Sequence, residues 1–224
     1  MFFKHLKILL WKEVLLEFRH KHAIGSIFLY LASTVFLIYI ALQQSSNSPN
    51  LETRIWNVLF WLVILFTTVN AVAKSFFSEN KGRMLYYYSV VNPRVFILSK
   101  IIYNFLIVTL LGVVSFGLFS LLIGNPIEKP LIFLLTLVLG ASGYSFLFTL
   151  ITAIASKAEN NATLIAILGF PIVLPLIIFI IRLSKLSFTA SSSDEMLKSI
   201  AVLFALDLIL ITLSMILFPY IWRD

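Results

Sequence analysis

The sequence predicts an all-α membrane protein of six transmembrane helices with an interfacial helix in front of them. Three observations predict it. The 224 residues are 60% hydrophobic and 12% charged, with a mean hydropathy of +1.01, where a soluble domain holds roughly 45–50% apolar and about 25% charged residues. The apolar residues gather in six runs, at about 24–42, 54–73, 101–123, 131–155, 162–183 and 199–221. Each run is near or above the ~20 residues that cross a ~30 Å hydrocarbon core. None alternates with the two-residue period of a membrane β-strand, and a helix pairs its own backbone groups in lipid.

Residues 1–22 precede the first run and are charged throughout, so a cleavable signal peptide is not expected. Phe2, Phe3, Leu6, Leu9, Leu10, Trp11, Val14, Leu15 and Phe18 mix here with basic residues. At about 100° per residue, Lys4 and Lys7 fall beside Trp11 and Phe18 and interrupt the apolar stripe. A helix lying at the membrane surface with snorkelling lysines fits this pattern best; the alternative is a cytoplasmic extension of the first span. Glu17 and Lys21 stand at i,i+4 in the favourable order.

Orientation follows from the basic residues. Twelve lie on one side: Lys4, Lys7, Lys12, Arg19, Lys21, Lys74, Lys81, Arg83, Arg94, Lys100, Lys157 and Arg223. Five lie on the other: Arg54, Lys129, Arg182, Lys185 and Lys198. Both termini are therefore expected in the cytoplasm, of a bacterium by default, with the chain in its inner membrane. The formal charge of +7 is a topology signal and not a nucleic-acid patch.

The chain reads as a single transmembrane domain, 1–224, and its external connections, QSSNSPNLE, GNPIEKP and KLSFTASSSDE, read as polar turns. The cytoplasmic connection 74–100 is longer. Ser78 can cap a short helix there, with Glu79 in its first turn. Tyr86, Tyr87 and Tyr88 suit the headgroup level, and Pro93 separates this segment from the next span. From composition the loop is either a lipid anchor or a docking element for a soluble partner.

Much chemistry is excluded. Cysteine is absent, so disulfides and thiolate metal sites are not formed within this chain. No G-x-x-x-x-G-K-[ST] phosphate loop, H-E-x-x-H helix or G-x-S-x-G elbow occurs. His5, His20 and His22 all lie in the N-terminal segment and read as solvated residues, with no metal site expected. An enzyme with its own chemistry is therefore not expected.

Two features inside the spans stand out. Asp207, in LFALDLILITL, is an acid buried in an apolar run, and intramembrane carboxylates are functional candidates; a structural role, paired with Arg182 or reaching water, competes with a role in transport. Pro171 and Pro175 lie inside the fifth run, where each removes a backbone donor and clashes with the preceding turn. The freed carbonyls then need neighbouring helices or a water-lined cavity. Such interrupted helices favour transport over mere anchoring. In the fourth run Ala141, Ser145, Thr149 and Ala153 recur at i,i+4, which suits close helix packing within the chain or a homodimer seam.

Residues 153–184, AIASKAENNATLIAILGFPIVLPLIIFIIRLS, resemble the signature of the CcmB family, haem exporter protein B. Lys157, Asn160, Asn161, Ala162, Thr163, Phe170, Pro171, Pro175 and Arg182 carry the match. LGASGYSFLFTLITAIA at 139–155 and KEVLLEFRHKHA at 12–23 are similar to the family as well, as are Glu79, Gly82, Pro93 and Lys100. The Tyr86–Tyr88 triplet departs from the leucine-rich segment usual there. The resemblance implies a six-helix permease of the ABC-2 type, present in two copies. It implies partners too: an ATPase subunit, CcmA, which binds the ATP, the membrane proteins CcmC and CcmD, and the haem chaperone CcmE. Haem is then a transported or complex-associated ligand, although this chain lacks a membrane or external His and any Cys to ligate it axially. The same resemblance makes Lys12, Glu13, Arg19, Glu79, Gly82 and Arg83 the expected contacts of the ATPase subunit, with 74–100 as coupling loop. Pro171 and Pro175 become the expected hinge, with Lys157, Asn160, Asn161 and Thr163 as the motif beside it. An ABC-2 exporter of a lipid or drug, or a scaffold that transports nothing, are the alternatives.

Overall fold

The computed structural model describes residues 2–19, 21–43, 49–77, 91–157, 161–188 and 193–223. These form seven α-helices: α1 (Phe2–Arg19), α2 (Lys21–Gln43), α3 (Pro49–Phe77), α4 (Pro93–Leu122), α5 (Pro130–Ala155), α6 (Asn161–Lys185) and α7 (Ser193–Arg223). Helices α2 to α7 are the six long and apolar enough to cross a membrane, as the hydropathy pattern requires.

The helix ends follow local chemistry. Pro49, Pro93 and Pro130 each stand at a first helical position, where a missing N–H costs nothing. Asn92 caps α4, accepting from the backbone N–H of Arg94 at 3.0 Å. Asp194 and Glu195 occupy the first turn of α7 and Arg182 and Lys185 the last turn of α6, each charge on the favourable end of its helix dipole.

The connection expected at 74–100 is shorter than its sequence suggested. Helix α3 continues to Phe77 and α4 begins at Pro93, so Lys74 and Lys100 lie within helices. The cap at Asn92 starts α4 early, and burial of Lys100 against an acid lets that helix carry a cation. Likewise α7 begins at Ser193, one and a half turns before its apolar run.

Helix α5 is the centre of the bundle, packing against α3, α4, α6 and α7. Its small residues permit this. Ala141, Ser145, Thr149 and Ala153 are all buried within the chain, which makes the small-residue line an intramolecular seam. At Gly140 the indole of Trp61 lies so close that an added Cβ would sit 2.6 Å from its Cζ3. Gly140→Ala is therefore expected to destabilise the fold by about 1 kcal/mol net. Overpacking of about 1–3 kcal/mol outweighs the ~1 kcal/mol of helix propensity gained. Thermal unfolding in lipid measures it, and Trp61→Phe should recover part of the loss.

At the end of the bundle away from α1, aromatic rings fill the space between α3, α4 and α5. Trp56 stacks on Phe60 at 5.1 Å and meets Phe119, Phe133 and Phe188 edge-on. Its Nε1–H donates to the carbonyl of Gly124 at 3.1 Å. Gly124 has φ +107°, a conformation that favours glycine, and it turns the chain out of α4. The backbone N–H groups of Glu128 and Lys129 then both donate to Ser187 O, at 3.1 and 3.0 Å, tying this turn to the end of α6.

Candidate functional site

The charged site of the bundle lies where α1 meets the ends of α3 and α4. Leu9 and Glu13, one turn apart on α1, are buried, while Ile8, Trp11 and Leu15 face outward. Trp11 is 63% exposed. Lys4 and Lys7 are exposed on the outward side beside Trp11, while the inward side carries Leu9 and Glu13, so both sides of α1 mix apolar and charged residues. One side packs on α4, its main neighbour, and the other is exposed among the described residues.

Glu13 is 5% exposed and Lys100 is 0% exposed. Lys100 Nζ donates to Glu13 Oε2 at 2.9 Å and to Ser75 O, in the last turn of α3, at 2.6 Å. Lys12 Nζ lies 2.8 Å from the other carboxylate oxygen. The rings of Phe76 and Phe96 stand 5.2 and 5.9 Å from Lys100 Nζ, where their faces attract a cation. One carboxylate thus holds two ammonium groups, and a single lysine joins α1, α3 and α4. A buried charge demands such partners, because a bare one costs several kcal/mol.

Beside this site Phe76, Phe96, Phe218 and Trp222 wall a cleft whose rim carries Ser156 and Lys157. Phe96 stacks on Phe218 at 5.9 Å and meets Trp222 at 4.8 Å, so α7 ends against the same residues that surround Lys100.

A second polar locus lies deeper. Asn104 on α4 donates to Thr149 Oγ1 on α5 at 2.9 Å. Ser142, also on α5, has Asp207 Oδ2 of α7 and the carbonyl of Leu139 within hydrogen-bonding distance of its hydroxyl. Asp207 forms no ion pair with any described residue. Arg182, one of the two structural alternatives for Asp207, is exposed.

The family model described as CcmB protein matches residues 4–221. The chain belongs to the CcmB family. Among curated proteins none matches it in sequence. A CcmB chain with six apolar helices is a multi-pass membrane protein, and its family is the haem-exporter membrane subunit of the ABC system for cytochrome c maturation.

The CcmB signature spreads across the structure rather than converging on one point. Lys12 and Glu13 join the ion-pair site, and Arg19 is the last residue of α1. Glu79, Gly82, Arg83 and Asn160 lie outside the described residues. Lys157 stands exposed in the turn after α5, Asn161 opens α6, and Thr163 is exposed on it. Helix α6 runs unbroken through Pro171 and Pro175, and both prolines are exposed, beside Phe170 at 68%. Among the described residues, the neighbouring helices thus leave the proline face uncovered.

Two residues of the site escaped sequence reasoning. Lys100 was read as a topology charge and as the closing lysine of the CcmB pattern, not as part of a site, yet a cation at the start of an apolar run is itself a signal. Ser75 contributes chiefly its backbone carbonyl, which no side chain announces.

Proposed function

We propose that this CcmB chain is the permease subunit of an ABC complex for cytochrome c maturation. ATP hydrolysis in a separate CcmA-like subunit would be coupled through it to haem export or to release of the haem-loaded CcmE-like chaperone. The match over residues 4–221 is the observation that carries this reading. In the complex it stands in two copies beside CcmC-like and CcmD-like proteins, in a bacterial inner membrane with both termini cytoplasmic. The site around Glu13 supports a coupling role for that end of the bundle. Force on α1, or on the connection 78–92 between α3 and α4, reaches Lys100, and the long α4 passes it along the bundle. Glu79, Gly82 and Arg83 lie on that connection and are the contacts to test. Tilting of α6 about Pro171 and Pro175 would complete the two-state motion.

The experiment is covalent haem in the c-type cytochromes of a strain lacking the gene, with plasmid-borne variants restored one by one. Holo-cytochromes are expected to vanish in the deletion and return with the wild-type gene. Restoration by Pro171→Ala with Pro175→Ala, at full yield and unchanged ATPase coupling, would remove the hinge and leave the rest. Normal holo-cytochromes in the deletion strain would overturn the whole reading.

A further inference from the structure

Helix α7 runs Ser193–Arg223, which leaves roughly 20 Å of helix on either side of Asp207 at about 1.5 Å per residue. The side chain is 4% exposed and its surroundings are closed. An added Cβ at Gly143 would lie 2.8 Å from Asp207 Oδ1 and 3.0 Å from Leu176, so that oxygen sits against the glycine backbone, and no described residue hydrogen-bonds to it. An ionised carboxylate accepts up to four hydrogen bonds; among the described residues a single serine is in reach.

That serine is already committed. Ser142 Oγ stands 2.7 Å from Leu139 O, its own helix's carbonyl, as well as beside Asp207 Oδ2. It has one hydrogen for two acceptors. One more proton settles the arrangement: a carboxyl O–H at Oδ2 donates to Ser142 Oγ, and Ser142 donates to Leu139 O. No described cation provides another solution. On α5 the titratable side chain is Tyr144, whose ring meets Trp61 of α3 at 6.3 Å. On α6 the charges are Arg182 and Lys185, both exposed and beyond Leu176 toward the helix end. On α4 they are Arg94, exposed in the first turn, and Lys100, held by Glu13, with Tyr103 the remaining titratable group.

We propose that Asp207 is a proton-binding site, occupied by a proton while α5 and α7 are packed as seen here. The proton comes from water as hydronium, forms one O–H bond at Oδ2, and returns to water when separation of the two helices admits solvent. A neutral acid lets α7 lie against Gly143 in an apolar interior, and an ionised one does not.

Infrared spectroscopy of the full chain in lipid bilayers at neutral pH tests this without any partner subunit. The expected result is a carboxylic-acid carbonyl band that is lost in Asp207→Asn and shifted in Ser142→Ala, where the acid loses its acceptor. Asp207→Asn should keep the thermal unfolding temperature of the wild type, because its amide can donate to Ser142 as the acid does. Identical carbonyl spectra for wild type and Asp207→Asn would overturn the proposal. Should Asp207→Asn fail to fold, Ser142→Ala decides alone: a shifted acid band supports the site, and no acid band or an unshifted one overturns it.

Discussion

Glu13→Ala is expected to destabilise the packed chain by about 3–5 kcal/mol, the usual cost of breaking a buried ion pair by removing one partner. Lys100 is wholly buried and would lose the carboxylate that faces its ammonium at 2.9 Å, beside the carbonyl of Ser75 and two aromatic faces. The remaining ammonium could not reach water without α1 leaving α4. The double variant Glu13→Leu with Lys100→Met should recover most of this loss, because replacing both charges by apolar groups removes the desolvation penalty as well. Unfolding of the four chains in lipid, read by tryptophan fluorescence, completes a double-mutant cycle. A single variant within about 1 kcal/mol of the wild type, where exposed pairs fall, would mean the pair is hydrated and not a structural joint. Should the double variant be stable yet fail to restore holo-cytochromes, the pair serves coupling beyond its part in the fold.

Trp56→Ala is expected to cost about 3 kcal/mol at the opposite end of the bundle. Loss of a buried tryptophan side chain costs about 3–5 kcal/mol in soluble proteins, part of it transfer from water and part the cavity left behind. In a bilayer the unfolded helix already shields the ring from water, so the cavity share dominates. Four phenylalanine rings within 6 Å lose their common neighbour, and Gly124 O loses its donor. Trp56→Phe keeps much of the packing and loses the hydrogen bond, so it should cost about 1 kcal/mol. The same fluorescence-monitored unfolding separates the two, and equal losses would place the effect in the hydrogen bond alone.

Where the helices cross was legible because lipid imposes length and apolarity on each span independently of its neighbours. The ends of the spans were less so. Pro93 read as the boundary before the next span, and it is one, but the span starts there and not near residue 101, since Asn92 in front of it supplies the cap. Lys100 looked like the limit of the cytoplasmic loop because hydropathy counts a lysine as polar whatever it touches. Its burial depends on Glu13, 87 residues away, and on a carbonyl of α3. Pattern along the chain carries no information about such a meeting. The prolines show the converse case. Their helix-breaking tendency is local and plain, but which face of α6 they occupy depends on how α6 rotates against α5 and α7. For Asp207 the sequence pointed to the residue and left water, Arg182 or a transport role open; the register of α5 against α7 set Ser142 beside it.

The tie between the α4–α5 turn and the end of α6 is made by two main-chain amides and one main-chain carbonyl. Glu128 is exposed, and neither its side chain nor that of Lys129 takes part in the tie. Substitution at these two positions thus leaves the tie intact unless proline removes a donor, whereas loss of one residue from the turn moves both amides out of register. Such a joint constrains how many residues the turn holds and leaves the identities at 128 and 129 open, while Gly124 keeps its own demand for glycine.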